Sequence, residues 1–357
     1  MARKLASIQI IDSLTPIPNA DRIEKAQVMG WGVVVKKGEF EVGSKCVFFE
    51  VDSVLPDGPD WSEFMRPRNF RVKTCKLRGE LSQGLALPIT ILPETYRVED
   101  VKYCDSCGDE VSVDWKTINP REFEVGTDVT DVLKVDKYIP KPRFGFRAGA
   151  ALGPFPAMIP KTDETRLQSI LPVLEEIKGI PIYWTVKCDG TSGTFAKLNG
   201  EFMACSRNLK KKPGDNVYWQ IAEKYKLEEF LPEGFAVQGE VCGPGVQKNR
   251  LGLEEIDLFV FDVFDIKAGR YMGLDKFRDF CGSHLKTVPI EQVVSDPSTI
   301  DLSLDAWLER AKGLYEGTNN RREGIVVRAV HPTFSRATSG RLSFKVLNNE
   351  FLLKDED

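Results

Sequence analysis

Lys187, Asp189 and Gly190 fall together in the stretch "WTVKCDGTSGTF", Trp184 to Phe195. An amine at the end of an apolar run, with a carboxylate two residues on, could serve as a nucleophile. It must first lose its proton. With a reference pKa near 10.4, roughly one lysine in a thousand is neutral at neutral pH. Burial, a neighbouring cation or a bound metal would lower that pKa. Taken alone, the string fits better a surface lysine paired with Asp189.

Further residues of the same character follow in order. They are Arg207 in "SRN", Glu240 in "QGEVCGPG", Phe261 in "FVFDVFD", Glu323 in "EGIVVR" and Lys345 in "SFKVLN". Each has an ordinary explanation by itself. Arg207 suits a solvated turn, Phe261 a core, Glu323 a pair with Arg321 or Arg322, and Lys345 an edge strand from which it snorkels. As an ordered set over about 160 residues they are specific. The set resembles the motifs of the covalent nucleotidyltransferase superfamily, the polynucleotide ligases and mRNA capping enzymes.

That resemblance implies Lys187 as the nucleophile and Lys345 as a second catalytic cation at the α-phosphate. It implies nucleotide contacts from Asp189, Gly190, Arg207, Glu240, Phe261, Glu323 and Lys345, with Phe261 stacking on the base and Phe259 on the same strand face. ATP would bind without a P-loop, since no such string occurs. Asp189, Glu240 and Glu323 would hold a hydrated Mg²⁺ or Mn²⁺ through water. The product would be a covalent lysyl-AMP. AMP would pass to an RNA 5′-phosphate, and a 3′-OH would displace it.

The elements that must carry these residues are strands. In "IPIYWTVK", Ile182, Trp184 and Val186 share one face, and Tyr183, Thr185 and Lys187 the other. Lys187 is thus expected to project from the strand end into a cleft between sheets, with Gly190 turning the chain beneath a ligand. "AVQGEV", "DLFVFDVFD", "GIVVRAV" and "RLSFKVL" also read as strands. "TFAKLNGEFMACS" reads as a hairpin around Asn199-Gly200. "DETRLQSILPVLEEIKG", "NVYWQIAEKYKLEEFL" and "SLDAWLERAKG" carry helical periodicity, the last with Ser303 as N-cap.

The first third reads as short strands in "WGVVVKKGE", "KCVFFEVDSVLP" and "SQGLALPITIL". The expected class is α+β: an N-terminal β-barrel, then an antiparallel-sheet nucleotidyltransferase domain with helices. The boundaries are 1–140 for an OB-like RNA-binding domain, 141–160 for a Pro/Gly-rich linker and 161–357 for the catalytic domain. "TPIPNADRIEKAQVMGWGVVVKKGEFEVGSKCVFFEVD" and "KLRGELSQGLALP" resemble OB folds of the tRNA-binding type. "RPRNFRVKTCKLRG" holds six basic residues and no acid: Arg66, Arg68, Arg71, Lys73, Lys76 and Arg78, with Phe70 interleaved. They offer phosphate contacts and one stacking face for RNA, or equally a charged barrel edge.

An N-terminal OB domain before a nucleotidyltransferase that ends soon after Lys345 resembles the Naegleria type of ATP-dependent RNA ligase. "KTDETRLQS" and "GPGVQKNRLGL" resemble that group too. DNA ligases and capping guanylyltransferases usually continue into a further OB domain, for which twelve residues leave no room. They stay as alternatives, with a catalytically silent RNA-binding protein as another. Where relatives often have a second lysine, this chain has Leu347; Arg341, Lys354 or another cation is expected to substitute.

Net charge is -4 and the pI about 5.6, so any nucleic-acid contact must be local. With no apolar leader or span, and eight scattered cysteines among 357 residues, a soluble intracellular monomer is expected. Cys104 and Cys107 are half of a zinc site that Cys46 and Cys75 could complete, although the spacing favours free thiols. Lys210 to Lys212 read as a solvated run before a strand-backbone contact. His284 and His331 carry no catalytic signal.

Overall fold

The computed structural model describes residues 4–103, 111–139 and 149–354. Contacts divide the chain into two compact units, Met1–Pro140 and Lys141–Asp355. Cys104 and Cys107 lie outside the described residues, and with them the zinc question. Among the described residues, no helix is long and apolar enough to cross a membrane.

The first unit is built of strands. Ala6–Ile10, Lys45–Phe49 and Leu85–Pro88 form one antiparallel sheet. Ser13–Pro16, Ile23–Val28 and Trp31–Lys36 form a meander. "KCVFF" reads as continuous rather than alternating because both its faces are covered. Val47 and Phe49 enter one core with Ile8 and Leu55; Cys46 and Phe48 enter another with Trp31 and Val33. Trp31–Lys36, covered on one face, alternates buried and half-buried.

The second unit is α+β, built on two large sheets beside the small pair Phe334–Ser335 and Gly340–Arg341. The larger has seven strands, in order Ala151–Pro154, Leu209–Lys211, Glu201–Ser206, Thr191–Leu198, Phe235–Cys242, Asp257–Asp265 and Arg270–Tyr271. The smaller has five: Thr165–Arg166, Ser343–Leu347, Gly324–Ala329, Ile182–Lys187 and Ile290–Val294. One pair in it is parallel, joining Thr165–Arg166 to Ser343–Leu347. Strand Ile182–Lys187 has one face against helix Leu304–Arg310, where Trp184 meets Trp307 edge-on at 5.4 Å. Its other face points toward the seven-stranded sheet, where Tyr183 joins the core of Phe195, Val237 and Val260.

Several sequence expectations take a different form. Residues 163–179 were expected to be helical. Thr165–Arg166 instead pairs as an edge strand, and only Val173–Glu176, after Pro172, is α-helical. The open edge of Ser343–Leu347 supplies backbone partners that outweigh local periodicity. Part of the expected linker is likewise structure: Ala151–Pro154 pairs with Leu209–Lys211, and Ile159 is buried with Ala196 and Phe264. The Asn199-Gly200 hairpin forms with both residues at positive φ. "NVYWQIAEKYKLEEFL" makes two helices, Val217–Lys224 and Leu227–Phe230, split at Lys226. Ser303 caps its helix by accepting from the Ala306 N–H.

Candidate active site

Lys187 is the last residue of its strand, paired in register with Gly324. It shares the Tyr183 face, which is the face toward the seven-stranded sheet. Its Nζ donates to Glu323 Oε2 at 2.7 Å, and both side chains are about one-fifth exposed (23% and 20%). Glu323 directly precedes strand Gly324–Ala329, so the pair bridges adjacent strands at their common end.

Glu240 and Asp189 act on the same amine. Burial would lower the Lys187 pKa, but the carboxylates of Glu323, Glu240 and Asp189 outweigh it and hold the amine above the usual lysine value. The expected depression is therefore not present in the protein alone. Glu240 shows the converse: burial first, then Glu323 and Asp189, push its carboxyl up to about 7 against the pull of Lys187. Asp189 accepts from Arg250 Nη1 at 3.2 Å.

Gly190 has a steric reason to be glycine. A Cβ there would lie 2.3 Å from the Val241 carbonyl oxygen and 2.7 Å from Cys242 Sγ. The turn after Lys187 runs hard against strand Phe235–Cys242, and the Gly190 N–H donates to Glu240. Only glycine lets the two strands approach this closely.

Lys345 sits on the next strand, opposite Val326. It, rather than Lys187, carries the depressed pKa. Burial, with Lys187 and Arg166 as neighbouring cations, lowers it to about 7. Leu347 is buried and paired with Gly324, so it brings no charge. Arg341 is committed elsewhere, donating to Asp262 at 2.7 Å and stacking on Tyr271. The cation beside Lys345 is Arg166, its register partner on the parallel edge strand. The side chain of Lys354 lies outside the described part of the chain.

Segment 160–166 crosses between the sheets and is pinned on the way. Gln238 Nε2 donates to the Pro160 carbonyl at 2.8 Å, and the hydroxyls of Thr162 and Ser192 are 2.6 Å apart. Arg207 pairs with Asp163 of this segment, and Lys161 donates to Asn208. Glu164 accepts from Ser343 Oγ at 2.6 Å and lies 3.4 Å from Arg328.

Phe261 is half-buried, with Phe259, against Cys188, Cys242 and Val288. It occupies a β-bulge: Val260 pairs with Gly239 and Asp262 with Gln238, leaving Phe261 between them. Bulges re-aim side chains. The Arg328 guanidinium carbon stands 5.7 Å from its ring centre. Arg328, 2% exposed, also lies near Asp262, and so ties the two sheets together beneath this ring.

In the first unit the basic stretch divides. Arg66 pairs with Asp57 and Glu63, and Arg71 with Asp52 while stacking on Tyr138. Phe70 packs into the core with Met65 and Val72, so the expected stacking face is not available. Arg68, Lys76 and Arg78 are exposed and Lys73 half-buried; none of the four forms an ion pair among the described residues. Arg78 and Gly79, both at positive φ, make the two-residue tip of hairpin Cys75–Leu77/Glu80–Ser82. In the second unit the expected solvated run is not one: Lys211 is buried near Tyr218, and Lys210 pairs with Glu201.

Tyr315, Arg250, Arg166 and Arg328 escape sequence reading. Arg166 and Arg250 lie inside the quoted strings "KTDETRLQS" and "GPGVQKNRLGL", where spacing alone does not single them out. Arg328 likewise ends the quoted string "EGIVVR" without being singled out by it, and Tyr315 gives no local signal.

Known proteins share this arrangement. The OB-fold domain profile matches residues 5–89, and the RNA ligase profile residues 180–347. No curated protein matches the chain. Among solved structures, an RNA ligase of Naegleria gruberi with PPi is 31% identical, with a TM-score of 0.83 and coverage of 100% of both chains. A mutant of that ligase with ATP and Mn is 31% identical, at TM-score 0.83, covering 99% of this chain and 100% of its own. Another mutant, with AMP and Mn, is 30% identical at TM-score 0.84, with coverage of 99% and 100%.

Proposed function

The chain belongs to the RNA ligase family, and from that membership we propose that it joins RNA 3′-OH and 5′-phosphate ends at the expense of ATP, with Lys187 as the nucleophile. The observation that carries the reading is the placement of one amine among three carboxylates. Lys187 Nζ stands 2.7 Å from Glu323, within the fields of Glu240 and Asp189, at the end of a strand facing the opposite sheet.

In the first step the neutral Lys187 amine attacks the α-phosphorus of ATP. The N–P bond forms, the P–O bond to pyrophosphate breaks, and the displaced lysine proton passes to the Glu323 carboxylate 2.7 Å away and on to solvent. Lys345 and Arg166, cations on neighbouring strands, suit the α-phosphate charge. In the second step an RNA 5′-phosphate oxygen attacks the same phosphorus and frees the lysine. In the third, an RNA 3′-OH attacks the adenylylated 5′ end and AMP leaves. Phe261, re-aimed by its bulge, is the aromatic face for the adenine. Arg207, tied to Asp163, is available for the ribose or phosphate end.

Asp189, Glu240 and Glu323 suit a divalent cation held through water. Among the described residues no three acid, thiol or imidazole groups converge to ligate one ion directly, and hard oxygen donors are what Mg²⁺ and Mn²⁺ take. Bound there, such an ion would supply positive charge that offsets the carboxylates and screens the phosphates.

The first unit is proposed to contact RNA through Arg68, Lys73, Lys76 and Arg78. Their charge is not neutralised by carboxylates, unlike that of Arg66 and Arg71. The six described cysteines are free thiols, which suits a reducing, intracellular setting.

Mass spectrometry after incubation with ATP and Mn²⁺ tests the reading. An AMP-sized gain on the wild type, absent from Lys187→Ala, is the expected result. No gain on the wild type, or one that persists in the variant, overturns it. Labelling by GTP instead of ATP would move the chain to the capping alternative.

A further inference from the structure

We propose that Tyr315 is a positioning residue for lysine adenylylation: its single buried hydroxyl fixes the main chain of Lys187 and of Glu323 together. The inference rests on the ligase reading above and adds a residue to it.

Strands Ile182–Lys187 and Gly324–Ala329 pair residue by residue as far as Lys187 opposite Gly324, where the ladder stops. The Glu323 N–H lies beyond that last pair, and the Lys187 carbonyl, facing Gly324, keeps a second lone pair for a further donor. Tyr315 Oη donates to the Lys187 carbonyl at 2.8 Å and accepts from the Glu323 N–H at 3.1 Å. The hydroxyl thus acts as one more rung, placed where the two reacting side chains leave the sheet. Tyr315 is 5% exposed, so water cannot readily replace it.

The loop that carries Tyr315 is itself braced. The Tyr315 N–H donates to the Asn320 carbonyl at 2.9 Å, and the Thr318 N–H donates to the Tyr315 carbonyl. Arg322, 7% exposed, donates to the Ala311 and Arg310 carbonyls and pairs with Glu291. On the other side, the Asn348 N–H donates to the Glu323 carbonyl at 2.9 Å. Glu323 is therefore held from two directions, and Tyr315 carries that constraint across to Lys187.

The position of Lys187 Nζ depends on where its Cα and its partner carboxylate are fixed, because four rotatable bonds lie between. In-line attack tolerates little misplacement. A hydroxyl that merely satisfied two buried groups would slow every step alike when removed. A positioning hydroxyl slows the step in which Lys187 is the nucleophile.

The test uses Tyr315→Phe and Tyr315→Leu in the full chain. Two rates are measured: single-turnover lysyl-AMP formation across ATP concentrations with Mn²⁺, and sealing of RNA already adenylylated at its 5′ end. The maximal adenylylation rate of Tyr315→Phe is expected to fall about ten-fold or more, with half-saturating ATP within about two-fold. Sealing of pre-adenylylated RNA is expected to fall less than about three-fold, and Tyr315→Leu to resemble Tyr315→Phe in the first step. Wild-type adenylylation by Tyr315→Phe with loss in Tyr315→Leu would reduce the residue to ring packing and overturn the proposal. Equal slowing of both rates would do so too. Should Tyr315→Phe not fold, wild-type protein with 13Cζ-labelled tyrosine answers instead. The Tyr315 hydroxyl is expected to exchange slowly with solvent, and exchange at the rate of a free tyrosine overturns the proposal. A wild type that makes no lysyl-AMP would sink the ligase reading separately.

Discussion

One ammonium, that of Lys187, lies in the field of three carboxylates, and the balance of burial and charge around it sets the behaviour of the site. Glu240 responds to burial first and to the neighbouring carboxylates after it. Its carboxyl is raised from an ordinary 4.5 to about 7, so between those values the folded protein holds a proton that the unfolded chain has released. Stability therefore falls as pH rises from about 4.5 to 7, and the loss persists above 7. Glu240→Gln is expected to raise the Tm by a few degrees at pH 8 and to leave it unchanged at pH 4, with adenylylation lost at both. A Tm gain equal at both values would show that charge is not the cause. Lys345 works in the opposite sense. Lowered from 10.5 to about 7, it makes the unfolded chain the better proton binder between those values, so stability rises with pH across that window. Lys345→Met is accordingly expected to be more stable than the wild type at pH 6 but not at pH 10, as read by thermal unfolding. Both residues destabilise the fold at the site that uses them.

At the scale of elements, the site depends on neighbouring strand ends within each sheet that come closer than side chains normally permit. Gly190 has the Val241 carbonyl 2.3 Å from where a Cβ would be, and Gly324, at φ 151, has the Val346 carbonyl at 2.1 Å. Backbone cannot yield as a flexible side chain would. Gly190→Ala is expected to cost about 2 kcal/mol or more and to abolish lysyl-AMP formation, as checked by denaturant unfolding and the mass assay. Gly200 is the contrast. It lies at the hairpin tip with nothing within 4 Å, so alanine there meets only its positive φ of 75°. That change is expected to cost about 1 kcal/mol and leave adenylylation intact. Comparable losses at the two positions would refute the close-approach argument.

The whole molecule joins two units, each with its own core. On the proposed reading, adenylylation draws on the second unit's residues, whereas sealing also draws on RNA contacts of the first. Arg68, Lys76 and Arg78 together replaced by glutamine are expected to leave lysyl-AMP formation within about two-fold. RNA sealing should weaken, and the salt dependence of RNA binding should flatten by up to about 0.7 for each phosphate no longer neutralised. An unchanged salt slope would remove these residues from the RNA surface. Arg66→Gln, whose charge is shared by Asp57 and Glu63, is expected to change RNA binding little.

The sequence by itself determined the strands, the Asn199-Gly200 hairpin, the Ser303 cap and the order of reactive residues. These depend on alternation, turn chemistry and residue type, all of which are local. The tertiary structure decided what depends on who stands opposite whom. The open edge of Ser343–Leu347 turned an expected helix into a strand at Thr165–Arg166, and thereby set Arg166 beside Lys345. Burial of Phe70 in the first unit's core removed an expected stacking face. The net field of Asp189, Glu240 and Glu323 raised the pKa of an amine whose nucleophilic role calls for a lowered one. Tyr315 lies 128 residues from Lys187, yet its hydroxyl closes the rung at the end of that strand. Charge sums, strand registers and long-range hydrogen bonds arise only once distant segments are packed together, so no window along the chain contains them.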